Sequence, residues 1–322
     1  MRRLYLAVAV LALLVAGCGS SGGRRPNESA TLVLDFTPNA VHAGIYLALQ
    51  RDYTGAEGVD LHVREPSSST DSVKLLAAGR ARFAILDIHD LAIARAKGED
   101  VVGVMALVER PLAAVLARPG IRTPRDLEGR RAGVTGLPSD DAVLSSVVSG
   151  AGGDPRKVRR ITIGFDAVPA LLARRVDAAT AFWNAEGVAL RAKRPGIREF
   201  RVDEYGAPAY PELVLCATGA TVRDDPALVR STVHALVRGY DEALTDPESA
   251  ASALETRVPG LDRKLVSQEL DALAGAFQGS EPRFGVLDPV ALRAWAKWEA
   301  RFGIVKRPPD VAAMFDGHFV PS

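Results

Sequence analysis

The sequence predicts an α/β protein built as two lobes with a ligand cleft between them and two crossover strands. Three observations predict it. Short apolar runs alternate with helix-period stretches through the first two thirds of the chain, the order that builds mainly parallel sheets. Two apolar runs, 101–108 and 112–117, are separated only by Glu109-Arg110-Pro111, so the chain passes from one sheet to another without a helix. A third run, 213–217, follows a connector rich in Pro, Gly and Tyr at 202–211 and reads as the return crossing, pairing near 112–117. The expected lobes are therefore 31–110 with 213–322, and 111–212. A chain of 322 residues that is 48% hydrophobic and 25% charged can fill two cores.

The first crevice organises the rest. Leu32-Val33-Leu34 reads as a strand, Thr37-Pro38-Asn39 breaks it, and a helix resumes from about Ala40. The break sets Asp35, Phe36, Asn39 and His42 around a strand's carboxyl end and a helix's first turn. Open α/β sheets bind small ligands there, and free N–H groups at the helix start favour polar ligand atoms. Residues 59–65 alternate as a half-buried strand, and 72–79 form a helix. The hydroxyl-rich turn between them, with Ser68, suits ligand binding and helix capping equally. The strand at 82–86 closes in Asp87-Ile88-His89-Asp90, which makes Asp87 and His89 candidates for the pocket wall. A strand at 131–134 runs into a polar turn containing Ser139, then a helix at 142–149.

The strand at 176–182 ends in Trp183-Asn184-Ala185-Glu186-Gly187. An aromatic pair followed by an amide and a carboxylate can stack on a planar ring and bond its edge; it can equally be core with a charged helix start. Further helices are expected at 227–244, 247–257, 261–277 and 289–302. Trp295 and Trp298, three apart, read as packing.

The formal net charge of +1, with Arg interspersed among Asp and Glu, argues against nucleic acid as a partner. Met1-Arg2-Arg3 and the apolar run 4–15 form an export signal too short to span a bilayer comfortably. Leu14-Val15-Ala16-Gly17-Cys18 resembles the lipobox of bacterial lipoproteins. The resemblance implies cleavage before Cys18 and a lipid anchor on its sulfur, holding the protein to the outer face of the cytoplasmic membrane. Residues 19–30 are expected to be a flexible tether. GxGxxG and GxSxG matches at 17–23 neither follow a strand nor open a helix, so they carry no chemistry. The second cysteine, Cys216, lies in an apolar strand and reads as a small core hydrophobe.

Leu34-Asp35-Phe36-Thr37-Pro38-Asn39-Ala40-Val41-His42-Ala43-Gly44-Ile45-Tyr46 resembles the LDWxPNxxHxGxY signature of the thiamine-pyrimidine family, and 182–187 is similar to its aromatic-Trp-x-x-Glu-Gly turn. That family has the periplasmic-binding-protein-like type II fold. It includes receptors of ABC importers for pyrimidine precursors of thiamine, riboflavin receptors, and fungal pyrimidine synthases. The resemblance implies a ring sandwiched by Phe36 and Trp183, with Asn39 and Glu186 on its polar edge and His42 and Tyr46 nearby. Phe36 stands where Trp is common, and Asp87, His89 and Asp90 depart from the pyrimidine-binding pattern.

The expectation is a monomeric, non-enzymatic receptor without cofactor or metal, handing a planar heterocycle to a permease and its ATPase. The ligand is a thiamine pyrimidine precursor, with a flavin or other aromatic solute as the alternative. A synthase is disfavoured because those enzymes carry a cysteine-rich segment and this chain has two cysteines. A hydrolase is disfavoured because no HExxH and no GxSxG in a folded context occurs.

Overall fold

The computed structural model describes residues 27–68, 70–277 and 283–321. The export signal, Cys18 and most of the tether lie outside the described residues. Among the described residues there are ten strands: β1 (Glu28–Val33), β2 (Val59–Arg64), β3 (Phe83–Asp87), β4 (Val101–Val108), β5 (Ala113–Ala117), β6 (Arg131–Val134), β7 (Arg159–Thr162), β8 (Ala178–Phe182), β9 (Arg198–Arg201) and β10 (Leu213–Thr218). They form two five-stranded sheets, ordered β2-β1-β3-β10-β4 and β7-β6-β8-β5-β9. In the first sheet β1, β2 and β3 run parallel, and β10 is antiparallel to both of its neighbours. In the second, β6, β7 and β8 run parallel and β5 is antiparallel to β8 and β9.

The chain therefore leaves the first sheet after β4, builds the whole second sheet, and returns as β10. Two details of the sequence reading are corrected. The return strand does not pair near 112–117: β10 lies between β3 and β4, while β5 is taken up by β8 and β9. Nor does the tether extend to residue 30, because Glu28 and Ser29 already pair with Val59 and Asp60. Backbone pairing does not need apolar side chains, so polar residues at a strand's solvent end are invisible to a hydropathy reading. The short strand β9 was missed for the same reason, its Arg-Glu-Phe-Arg burying only Phe200.

β3, β4, β5 and β10 are near-continuous apolar runs buried along almost their whole length, as strands covered on both faces must be. The edge strand β7 is exposed at all four positions and carries Arg159 and Arg160, charges that discourage edge-to-edge pairing. The amphipathic helix Pro226–Thr245 packs against β2 and the helix Ala43–Gln50, while Arg263–Leu273 packs against the helices Pro247–Arg257 and Glu186–Lys193 and the turn Ala40–His42. The helix Ala43–Gln50 crosses Pro226–Thr245 at two glycines. A Cβ at Gly44 would sit 2.5 Å from the Tyr240 ring, and one at Gly239 would sit 2.2 Å from the Gly44 carbonyl oxygen. Trp295 and Trp298 are buried core residues. Among the described residues no helix is long and apolar enough to cross a membrane.

Candidate functional site

A cavity of about 100 Å³ lies between the two sheets. Its walls come from the carboxyl ends of the parallel strands of both: Asp35 and Phe36 after β1, Asp87 at the end of β3, Thr135 after β6, Phe165 after β7, and Phe182 at the end of β8. That is the position where parallel α/β sheets place ligands. A space of this size holds roughly seven to ten water-sized groups.

The first crevice is locked by its own motif. Asn39 caps the 3₁₀ turn Ala40–His42, its side-chain oxygen accepting from the Val41 amide at 3.0 Å. The Asn39 amide donates back to Nδ1 of His42 at 3.2 Å, which closes a capping box with histidine in the usual acidic or amide position. Since Nδ1 accepts, Nε2 carries the proton and donates to Asp35 at 2.8 Å. His42 is fully buried and does not line the cavity; it aims Asp35, which does. Asn39 lines the cavity as expected. Tyr46 does not: one turn further along the helix it faces the core, where burial pushes its hydroxyl up to about 12.

The hydroxyl turn after β2 divides its roles. Ser68 is exposed, away from the cavity, and donates to Asp71 at 2.9 Å at the start of the helix Asp71–Ala77. Ser72, one turn later, is the cavity residue, and its hydroxyl donates to the Leu34 carbonyl at 2.6 Å. Asp87 lines the cavity and caps the helix Ile88–Ala96 by accepting from the His89 amide at 2.7 Å. His89 is turned away from it. Its Nδ1 meets Glu299, its Nε2 lies 3.1 Å from the Tyr210 hydroxyl, and the Trp295 indole nitrogen lies 3.2 Å from Nδ1. Ser139 lines the cavity and donates across the cleft to Asp90 at 3.2 Å.

The main correction concerns Trp183. It is 5% exposed, does not line the cavity, and donates from its indole N–H to the Pro111 carbonyl at 3.0 Å. The Arg201 guanidinium sits 3.9 Å from its ring centroid. Successive residues of an extended segment point to opposite faces. Phe182 reaches the cavity, so Trp183, whose amide continues the pairing onto the Leu112 carbonyl, faces the far side beside β9. Asn184 is also fully buried outside the cavity lining, and neither end of its amide has a protein partner among the described residues. The aromatic partner of Phe36 is instead Phe165, from the turn after β7, packed edge-on at 4.5 Å. Nothing but its place after a parallel strand marked Phe165 in the sequence. Glu186 does line the cavity, accepting from the Phe182 amide at 3.2 Å.

The electrostatics are one-sided. Asp35, Asp87, Asp90, Asp140 and Glu186 line the cavity, and none of the described lining residues is Lys, Arg or His. Burial pushes Asp87 up to about 8 and Glu186 up to about 7, and raises Asp90 and Asp140 as well. Burial also lifts Glu269, which accepts from the Ala40 amide, to about 7. Burial works against a charged His89, but Glu299 and Asp87 outweigh it and hold the imidazole near 10. All these groups bind more protons folded than unfolded. The stability they supply is complete below their unfolded values and is lost as pH rises through the folded ones, from about 4 to 8 for the carboxyls and 6.5 to 10 for His89. The unliganded protein should therefore melt several degrees lower at pH 8.5 than at pH 5.5. In a chain this size 1 kcal/mol moves the midpoint by ~2–4 °C. A scanning-calorimetry series across that range checks it.

The chain is similar to known proteins over most of its length. The family model described as "NMT1/THI5 like" matches residues 39–250. The formylaminopyrimidine-binding protein of Halalkalibacterium halodurans is 31% identical over 302 residues, covering 92% of each chain. A 4-amino-5-hydroxymethyl-2-methylpyrimidine phosphate synthase of Legionella pneumophila is 25% identical, over 73% of this chain and 75% of its own. The riboflavin-binding protein RibY of Chloroflexus aurantiacus is 24% identical, over 100% and 98%. Among solved structures, the alkanesulfonate-binding protein SsuA of Xanthomonas axonopodis pv. citri superposes with a TM-score of 0.73 at 16% identity, over 91% and 99%. This likeness establishes the periplasmic-binding-protein-like fold.

Proposed function

The chain belongs to the NMT1/THI5-like family, and on that premise we propose that it is the extracytoplasmic solute-binding component of an ABC importer, taking a single-ring aminopyrimidine of the thiamine-precursor type. The observation that carries the reading is the cavity wall: an aromatic corner of Phe36 and Phe165 with five carboxyl groups and, among the described residues, no cationic side chain. A flat ring packs on the corner, and its exocyclic amino group finds acceptors among Asp35, Asp87 and Glu186. A sulfonate or nitrate would find no countercharge. The helix Pro138–Gly150, whose N-terminus would otherwise attract an anion, opens with Asp140, which accepts from Thr135.

The size of the cavity supports one ring over the three fused rings of a flavin. Support for a receptor rather than a synthase comes from the Halalkalibacterium relative and from the lack of a cysteine cluster, Cys216 being buried and the chain having two cysteines in all. The cleft between sheets that the chain joins twice suits closure around a solute and presentation of the closed form to a permease. The lobes are 28–110 with 212–322, and 111–211; Cys18 carries the membrane anchor.

A thermal-shift panel tests the reading. Hydroxymethylpyrimidine or formylaminopyrimidine at a hundred times its Kd stabilises the native state by ~2.7 kcal/mol, whereas riboflavin, an alkanesulfonate and nitrate leave the midpoint unmoved. A shift with the sulfonate and none with either pyrimidine overturns it. Iron-dependent mass loss at His42 in purified protein would instead favour the synthase.

A further inference from the structure

Glu212 is fully buried where the chain returns to the first sheet. Its backbone belongs to that sheet: its amide donates to the Val108 carbonyl at 3.0 Å, and its carbonyl accepts from the Ile88 amide at 3.0 Å. Its side chain reaches the other crossing. Oε2 accepts from the amides of Leu112 at 2.5 Å and Ala113 at 3.0 Å, the second being the first residue of β5. One carboxylate thus straps the outgoing crossing to the returning one.

The other oxygen, Oε1, has no hydrogen-bond partner among the described residues. Polar atoms of Asp87, His89 and Glu212 all lie within 4.8 Å of one another. Both ring nitrogens of His89 are taken by Glu299, Trp295 and Tyr210, which leaves it poorly disposed to ligate a cation. The acid against the Glu212 carboxyl is Asp87, a wall of the cavity. The ionisable groups packed around the pair are His89 and Asp90 from the helix Ile88–Ala96, Glu299 from Pro289–Arg301, Tyr210 from the returning crossing, and Asp140 beyond Asp90.

We infer that Glu212 is a positioning residue that couples ligand contact at Asp87 to the strap between the two crossings. This rests on the reading of the cavity as the ligand site. Below about pH 8 two adjacent buried carboxyls do not both ionise, so one proton is shared between them. Glu212 accepts two amides, which favours its ionised form and leaves the proton on Asp87. A ligand N–H bonded to Asp87 favours the ionised form there. The proton then passes from Asp87 to the Glu212 carboxyl. A neutral carboxyl accepts from Leu112 and Ala113 more weakly, so the crossing loosens when the ligand arrives. Charge is conserved within the pair, and no external reactant is needed.

The experiment is an NMR pH titration of the Leu112 and Ala113 amide resonances in the full chain and in Glu212→Gln. The amide oxygen of Gln still accepts from both backbone groups, while its NH₂ turns to Asp87 and cannot share a proton. The wild type without ligand should titrate with a midpoint near pH 8. Saturating hydroxymethylpyrimidine should lower that midpoint by about one unit or more, and E212Q, folded by its melting curve, should lose both responses. A flat wild-type titration, or the same curve in E212Q, overturns the inference. If hydroxymethylpyrimidine does not bind the wild type, the ligand reading falls. The ligand-free comparison still decides the role of Glu212: a titration lost in E212Q upholds the shared proton, and one retained overturns it.

Discussion

Phe36→Ala combined with Phe165→Ala lowers the affinity for hydroxymethylpyrimidine by about 10²–10³-fold, or ~3–4 kcal/mol, measured by isothermal titration calorimetry. The two rings meet edge-on at 4.5 Å and come from different sheets. Each is only partly buried, so removing them opens a wall of the cavity more than it excavates a core. An aromatic contact contributes ~0.5–1.5 kcal/mol beyond the area it buries, and both faces are lost together. The variants should melt within a few degrees of the wild type. Because the rings also touch each other, the single variants should not add: the double-mutant cycle should show coupling of ~0.5 kcal/mol or more.

Trp183→Ala has the opposite signature. It destabilises the fold by ~3–5 kcal/mol, as truncation of a buried aromatic does, with little direct effect on ligand contacts. The substitution removes the indole bond to the Pro111 carbonyl, in the outgoing crossing, and the Arg201 contact over the ring. Pro111 is then left with a buried carbonyl lacking that donor, which adds to the cavity cost. Chemical denaturation reads the loss as a lower midpoint with an unchanged slope. Affinity for hydroxymethylpyrimidine, measured where the variant is still folded, should stay within about threefold of the wild type. A large affinity loss at unchanged stability would restore Trp183 to the ligand.

These two variants mark where the sequence was legible and where it was not. The two-sheet architecture could be read because its cause is local: apolar runs of strand length, polar turns after them, an outgoing crossing without a helix and a return through a connector rich in Pro, Gly and Tyr. Asp35, Phe36 and Asn39 were legible for the same reason, since one short motif both breaks a strand and caps the next turn. Asp87, Ser139 and Glu186 also fall at strand-to-helix turns and reach the cavity. What failed was facing. Phe182 and Trp183 are neighbours of the same chemical kind, and a one-residue difference in register decides which meets the ligand and which meets the core. His89 sits two residues from a cavity acid but is recruited by Glu299, 210 positions away in sequence. Ser72 and Phe165 were missed because serine near a helix start and phenylalanine in a turn are common for other reasons. Glu212 reads as an ordinary acid in a connector; only the meeting of the two crossings gives it work.

The most direct measurement is a crystal structure of the full chain soaked with hydroxymethylpyrimidine. The ring should lie in the cavity between the sheets, packed on Phe36 and Phe165, with its amino edge within 3.2 Å of a carboxylate of Asp35, Asp87 or Glu186 and Trp183 still bonded to Pro111. A pyrimidine held elsewhere, or stacked on Trp183 after that side chain has left the Pro111 carbonyl, would contradict the account.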